Sequence, residues 1–199
     1  MLLKFKKLSK YYLESCALKE ATGDILLGEK VLVQGENGSG KSTFLKLISG
    51  QSLPSGGEIL LEGAPLKNTS RGRFSILGES RFIYLDLTLK ENLKLSLHSA
   101  DERLLAETLC QEFDLDFSSP KTIRELSSGQ KQKVAAIRAL ASKSDILVFD
   151  EPLNFLDPSS KSKLAQRLCA TDKTVVLVSH ESEFFPKFRK VEIKKGVLC

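Results

Sequence analysis

Residues 31–49 read VLVQGENGSGKSTFLKLIS, and this stretch decides the fold. Val31, Leu32 and Val33 form a short continuous apolar run of the kind a buried strand carries. Glycines follow at Gly35, Gly38 and Gly40, and beyond them Phe44, Leu45 and Ile48 fall at helical spacing. The order is strand, glycine-rich loop, helix, and residues 35–42 satisfy GxxxxGK[ST] in the context that gives the motif meaning. The glycines let the backbone turn its N–H groups toward phosphate oxygens, and the helix start adds its positive dipole end. On this reading Gly35, Glu36, Asn37, Gly38, Ser39 and Gly40, with Thr43 behind them, form a phosphate cradle. Lys41 reaches the β and γ phosphates, and the Ser42 hydroxyl suits Mg²⁺, a hard cation that takes oxygen ligands. The loop alone therefore implies a nucleoside triphosphate with magnesium.

A second apolar run, ILVFDEP at 146–152, ends in the adjacent carboxylates Asp150 and Glu151. A core strand has no use for two charges at its end unless they do chemistry there, although a turn cap would also place them so. Asp150 is expected to hold Mg²⁺ through water, and Glu151 to orient or deprotonate the water that attacks the γ-phosphate. A third run at 174–178 delivers Ser179 and His180 at the strand end, the edge where open α/β sheets bind ligands. His180 is thus a candidate γ-phosphate contact, whereas His98 has no such context.

Outward from these motifs the chain reads as α/β. Short strands are expected at 2–5, 25–27 and 59–61, separated by Gly-Glu turns. From about 87 to 140 the pattern turns helical, with Thr88 as a cap and an amphipathic stretch at 101–112. A helix is expected at 130–141 and another after Pro158.

At 199 residues and 41% hydrophobic composition, one globular unit is expected. No run approaches the ~20 apolar residues of a membrane span, and the first fifteen residues lack the apolar block and cleavage site of a secretory signal. Cys16, Cys110, Cys169 and Cys199 form no metal-ligand pattern and are expected to be reduced. The net charge of +5 is spread among interleaved acids, so no direct nucleic-acid contact is expected.

Residues 126–132 read LSSGQKQ. With the phosphate loop, ILVFDEP and SerHis in this order, the chain resembles the ATP-binding cassette (ABC) ATPases along nearly its whole length, as a single small cassette subunit. The resemblance implies ATP and Mg²⁺ as cofactors. It implies a P-loop NTPase core with a parallel sheet, an N-terminal antiparallel β part and a helical subdomain. One ABC ATPase domain would span 1–199, with about 1–77 and 143–199 as core and about 78–142 as the helical part. LSSGQ departs from the family's LSGGQ at Ser128, and Ser127, Ser128, Gly129 and Gln130 would contact the γ-phosphate bound to the opposite subunit. A hydroxyl and N–H groups at a helix start do form an anion site. Tyr12 resembles the aromatic that stacks on adenine, with Tyr11 as the alternative, and Asp157 in NFLD matches the loop that runs across the dimer interface. Glu79 falls where the family has a glutamine, so a charged oxygen would face the metal in place of a neutral one.

The function this implies is the ATP-hydrolysing subunit of an ABC transporter, in which MgATP-driven dimerisation powers transport. The partners would be a second ATPase subunit, identical or not, and a membrane-spanning subunit received near residues 83–95. The location would be cytoplasmic, peripheral on the cytoplasmic face of the membrane. The competing reading is a soluble ABC ATPase acting mechanically or as a regulator on ribosomes or DNA. Such relatives usually carry two cassettes or long coiled arms, and this chain shows one signature and no heptad run. A third reading is a nucleotide-gated binding module with little turnover, motivated by Glu79.

Overall fold

The computed structural model describes residues 1–13, 15–66, 72–78 and 82–199. The chain opens with β1 (Leu3–Tyr12) and β2 (Ser15–Ile25), paired antiparallel from Leu3 with Ile25 to Tyr12 with Ser15. Both are far longer than the short strands expected. Their register shifts at irregularities, one of them around Lys7 at φ 49°, break the alternation of apolar and polar residues that would have revealed them. The expected strand at 25–27 is corrected: Ile25 ends β2, while Leu26 and Leu27 are exposed in the turn to β3 (Lys30–Gln34). That turn closes through Gly28 at φ 74° and a 2.7 Å bond from the Leu26 N–H to Glu29 Oε2.

The phosphate-loop helix is α1 (Lys41–Ile48), followed by β4 (Gly56–Leu61) and the two-residue β5 (Ala64–Pro65). These two strands join the first two in an antiparallel sheet ordered β2-β1-β4-β5.

The central sheet takes its strands from distant parts of the chain. They are β3, β6 (Phe74–Leu77), β7 (Ile146–Asp150), β8 (Thr174–Val178), β9 (Arg189–Lys194) and β10 (Val197–Leu198), ordered β10-β9-β3-β8-β7-β6. Pairing from β9 through to β6 is parallel, with Val31 beside Val176 and Val148 beside the same residue. The residues of β8 and the first four of β7 are all buried, as the continuous apolar runs require of strands covered on both faces. Parallel pairing puts the C-terminal ends of β3, β7 and β8 at one edge, which is where the three motifs lie.

The helical part holds α2 (Leu89–Ser96), α3 (Ala100–Glu112) and α4 (Ser128–Ala141), and α5 (Pro158–Ala170) follows β7. Thr88 caps α2 as expected, in a reciprocal capping box with Glu91. Ser99 with Glu102 does the same for α3. The helix expected at 130–141 starts two residues earlier, because Ser127 takes the cap position.

Two apolar clusters build the core. One places α1 between the antiparallel sheet and the central sheet, with Phe5 edge-on to Phe44 at 5.3 Å. The other packs α3, α4 and α5 on the opposite face, around Phe113, Phe149 and Phe185. All four cysteines are free, Cys110 buried and the rest exposed. Among the described residues no helix is long and apolar enough to cross a membrane.

Candidate functional site

The loop between β3 and α1 is shaped by two glycines where any Cβ would collide with backbone. Gly35 has φ 144°, and a Cβ there would lie 2.2 Å from the Ile193 carbonyl oxygen. Gly40 has φ 107°, and a Cβ there would lie 2.2 Å from the Ala17 carbonyl oxygen. The loop is thus wedged between β9 and β2. Gly40 occupies the N-cap position of α1 with no side-chain cap, so the helix start keeps its N–H groups for an external acceptor. Lys41 is buried, and its Nζ donates to the carbonyl oxygens of Gly35 at 2.8 Å and Glu36 at 2.9 Å. The ammonium is therefore folded over the loop it is expected to serve. Ser39 Oγ is buried and, among the described residues, unpartnered.

A cavity of about 260 Å³ opens at this helix start. Asn37, Gly38 and Gly40 with Lys41, Ser42 and Thr43 line one side, and Asp150, Glu151, Val178 and His180 line the other, with Ala17 at the rim. Three segments, the first more than a hundred residues before the other two, thus converge on one volume. His180 Nε2 stands 3.4 Å from Glu151 Oε1. Burial lifts the Glu151 carboxyl above its ordinary range, the Asp150 charge adds to this, and His180 and Lys41 act against it. Glu151 itself sits at φ 49°, with its N–H donated to Val178 O at 3.0 Å.

A second cavity of about 470 Å³ adjoins the first and shares Ser42, Asp150 and Glu151. Gly78, Gln132, Asn154 and Phe155 complete its lining. None of these four was singled out from the sequence as a site residue, although Asn154 and Phe155 lie in NFLD and Gln132 in LSSGQKQ; each joins the site through tertiary packing. Ser42 and Asp150 line both volumes, as oxygen ligands of a magnesium ion between phosphates and protein would. Among the described residues no three His, Cys, Asp or Glu side chains converge as a metal cluster, so a cation here would take most of its ligands from phosphate and water.

Residues 127–130 line neither cavity. Ser127 Oγ accepts from the Gln130 N–H at 3.1 Å, and Gln130 Oε1 accepts from the Ser127 N–H at 2.9 Å. A Cβ on Gly129 would lie 2.6 Å from Phe155 O, so this position packs directly on the segment after β7. Asp157 caps α5 by accepting from the Ser160 N–H and hydroxyl, and Lys133 stands 3.2 Å from it. Tyr12 is half exposed at the end of β1, with Lys10 Nζ 5.2 Å above its ring, and it lines neither cavity. Glu79 lies outside the described residues.

The apolar stretch at 83–95 divides. Leu89 and Leu93 are buried, while Tyr84, Leu85 and Leu95 are exposed, with Phe82 exposed just before them. Asn92, itself buried, fastens Tyr84 by accepting from its N–H at 2.7 Å and donating to its carbonyl at 2.9 Å.

Residues 18–154 match the family model described as ABC transporter. The chain is 36% identical over 200 residues to the arginine transport ATP-binding protein ArtM of Bacillus subtilis, covering 92% of this chain and 82% of that protein. It is 32% identical to an ABC transporter ATP-binding protein of Bartonella quintana, over 96% of this chain and 88% of the relative. Among solved structures, a dimeric ATP-binding cassette in a post-hydrolysis state with ADP and Pi superposes with a TM-score of 0.86 at 28% identity. It covers 99% of this chain and 96% of the other.

Proposed function

Since the chain belongs to the ABC transporter family, as an ATP-binding and ATP-hydrolysing subunit, we propose that it works as one half of a MgATP-closed dimer that drives transport through a separate membrane-spanning subunit. The observation that carries this is the division of the site. Lys41, Ser42, Asp150, Glu151 and His180 share one cavity, while residues 127–130, at the head of α4, do not line it. The anion-binding start of α4 then serves the nucleotide of a second copy. The ArtM relative is named a transport ATP-binding protein, and the solved cassette is dimeric.

ATP lies with its phosphates on residues 35–43 and its adenine against Tyr12. Lys41 leaves the carbonyls of Gly35 and Glu36 for the β and γ phosphates. Ser42, Asp150 through water, and Glu79 would hold magnesium, which would supply neutralisation of phosphate charge. Glu151 accepts a proton from the attacking water as the bond from the γ-phosphorus to the bridging oxygen breaks, and His180 steadies the γ-phosphate. Closure by residues 127–130 of the second copy completes the donor shell and excludes water, so turnover requires dimerisation. Asp157 faces the same interface. The domain division is a core of about 1–77 and 143–199 with a helical subdomain between them. Residues 83–95, of which Tyr84, Leu85 and Leu95 are exposed, receive the membrane partner, with the subunit on the cytoplasmic face of the membrane.

The test is Glu151→Gln. The variant is expected to bind ATP, lose turnover by about 10²-fold or more, and accumulate as a dimer in saturating MgATP by size exclusion with light scattering. A variant that stays monomeric and hydrolyses at the parent rate would refute the assignment.

A further inference from the structure

Gln132 lies in α4 within the triplet KQK, which reads as a solvated helix face, yet its side chain is only 4% exposed. Its Nε2 donates to Pro152 O at 3.1 Å and reaches Glu151 O at 3.5 Å. A buried amide is costly unless it is bonded, and here the donor is spent on the two carbonyls of a single turn. That turn needs holding. Glu151 sits in the left-handed region at φ 49°, disfavoured by about 1–2 kcal/mol for a residue with a Cβ. Its N–H is fixed to Val178 O in β8 at 3.0 Å. With the N–H anchored on one side and the carbonyls on the other, both peptide planes flanking the Glu151 Cα are set, and the direction of the side chain follows from them. The carboxylate then lies 3.4 Å from His180 Nε2.

Two further contacts join α4 to the same segment, the close approach of Gly129 to Phe155 O and the pair Lys133 with Asp157. Both fall beyond the turn that carries Glu151. Gln132 bonds to that turn and also lines the larger cavity beside Ser42, Asp150 and Glu151.

We propose that Gln132 is a positioning residue for hydrolysis: its amide holds the Glu151–Pro152 turn so that the carboxylate faces the attacking water. Because α4 opens with the segment offered to the second copy, the same bond ties closure of the dimer to the aim of the catalytic carboxylate. The inference rests on the reading of Glu151 as the base.

The experiment compares Gln132→Met, Gln132→Glu and Glu151→Gln in the full chain, using ATP calorimetry and steady-state hydrolysis in saturating magnesium. Methionine matches the buried shape without a donor, so ATP Kd and KM should stay within about twofold while kcat falls about tenfold or more, the scale of a sub-ångström misplacement. Gln132→Glu can donate to Pro152 O only when protonated, so its kcat relative to the parent should rise as pH falls from 8 to 6. Parent-like kcat in Gln132→Met, with Glu151→Gln inactive, overturns this inference alone. Parent-like turnover in Glu151→Gln overturns the reading beneath it. Should Gln132→Met not fold, the pH ratio of Gln132→Glu decides, and a ratio that does not rise toward pH 6 overturns the proposal.

Discussion

His180 Nε2 and Glu151 Oε1 stand 3.4 Å apart across the smaller cavity, each carried to the site by the end of a different strand, β8 and β7. Burial raises the Glu151 carboxyl, and the imidazole opposes that shift when it is protonated. A base works ionised, so activity should rise with pH through the Glu151 titration. Removing the imidazole in His180→Ala should move the acidic limb of kcat/KM to higher pH and lower the plateau by about 10²-fold. A pH–rate series on parent and variant measures both. An acidic limb that does not move would separate the two residues functionally.

Gly40 and Gly38 should respond differently to alanine although both have positive φ. At Gly38, with φ 78°, an added Cβ meets open space. Gly38→Ala should therefore cost only the backbone strain, about 1–2 kcal/mol. At Gly40 the methyl would lie 2.2 Å from Ala17 O, so β2 must shift. Gly40→Ala should cost more stability than Gly38→Ala in thermal unfolding, and calorimetry should show ATP binding weakened at least about tenfold.

Glu102 closes the capping box of α3 from a buried position. Burial works against its ionisation, but the N–H groups of Ser99, His98 and Lys143 and the Ser99 hydroxyl together hold the carboxyl at about 2. A depressed carboxyl stabilises the fold above its unfolded value of 4.5 and loses that contribution as pH falls toward 2. Glu102→Gln should thus unfold earlier than the parent at pH 7, by roughly 1–2 kcal/mol or about 2–8 °C. The gap should narrow as the pH drops through that window, a trend that thermal melts from pH 7 to 3 would follow.

By its resemblance to the family's motif, Glu79 is proposed to stand where the family has a glutamine. If its carboxylate approaches the metal when ATP is bound, Glu79→Ala should weaken apparent magnesium affinity by about tenfold, the scale of one charge-assisted contact. Glu79→Gln should shift it less. Magnesium titrations of ATPase rate decide this, and unchanged affinity and hydrolysis in both variants would remove Glu79 from the metal.

The sequence by itself determined the phosphate loop, the carboxylate pair, the SerHis strand end and the Thr88 cap. In each of these the chemistry is done by contiguous residues: successive N–H groups around a phosphate, two carboxylates on one strand end, a cap bonded three residues ahead. Only the tertiary structure decided which neighbours those segments meet. β9, with the polar sequence RKVEIK, shows its place only through parallel pairing with β3, some 160 residues earlier in the chain. β2 is obscured by the register shifts that let it follow β1. Gln132 has no role of its own until the turn after β7 supplies carbonyls for its amide, and Gly129 reads as a helix start until Phe155 is found against it. Long-range contacts of this kind leave no local pattern, because the partner that gives the residue its meaning is absent from its own stretch of chain.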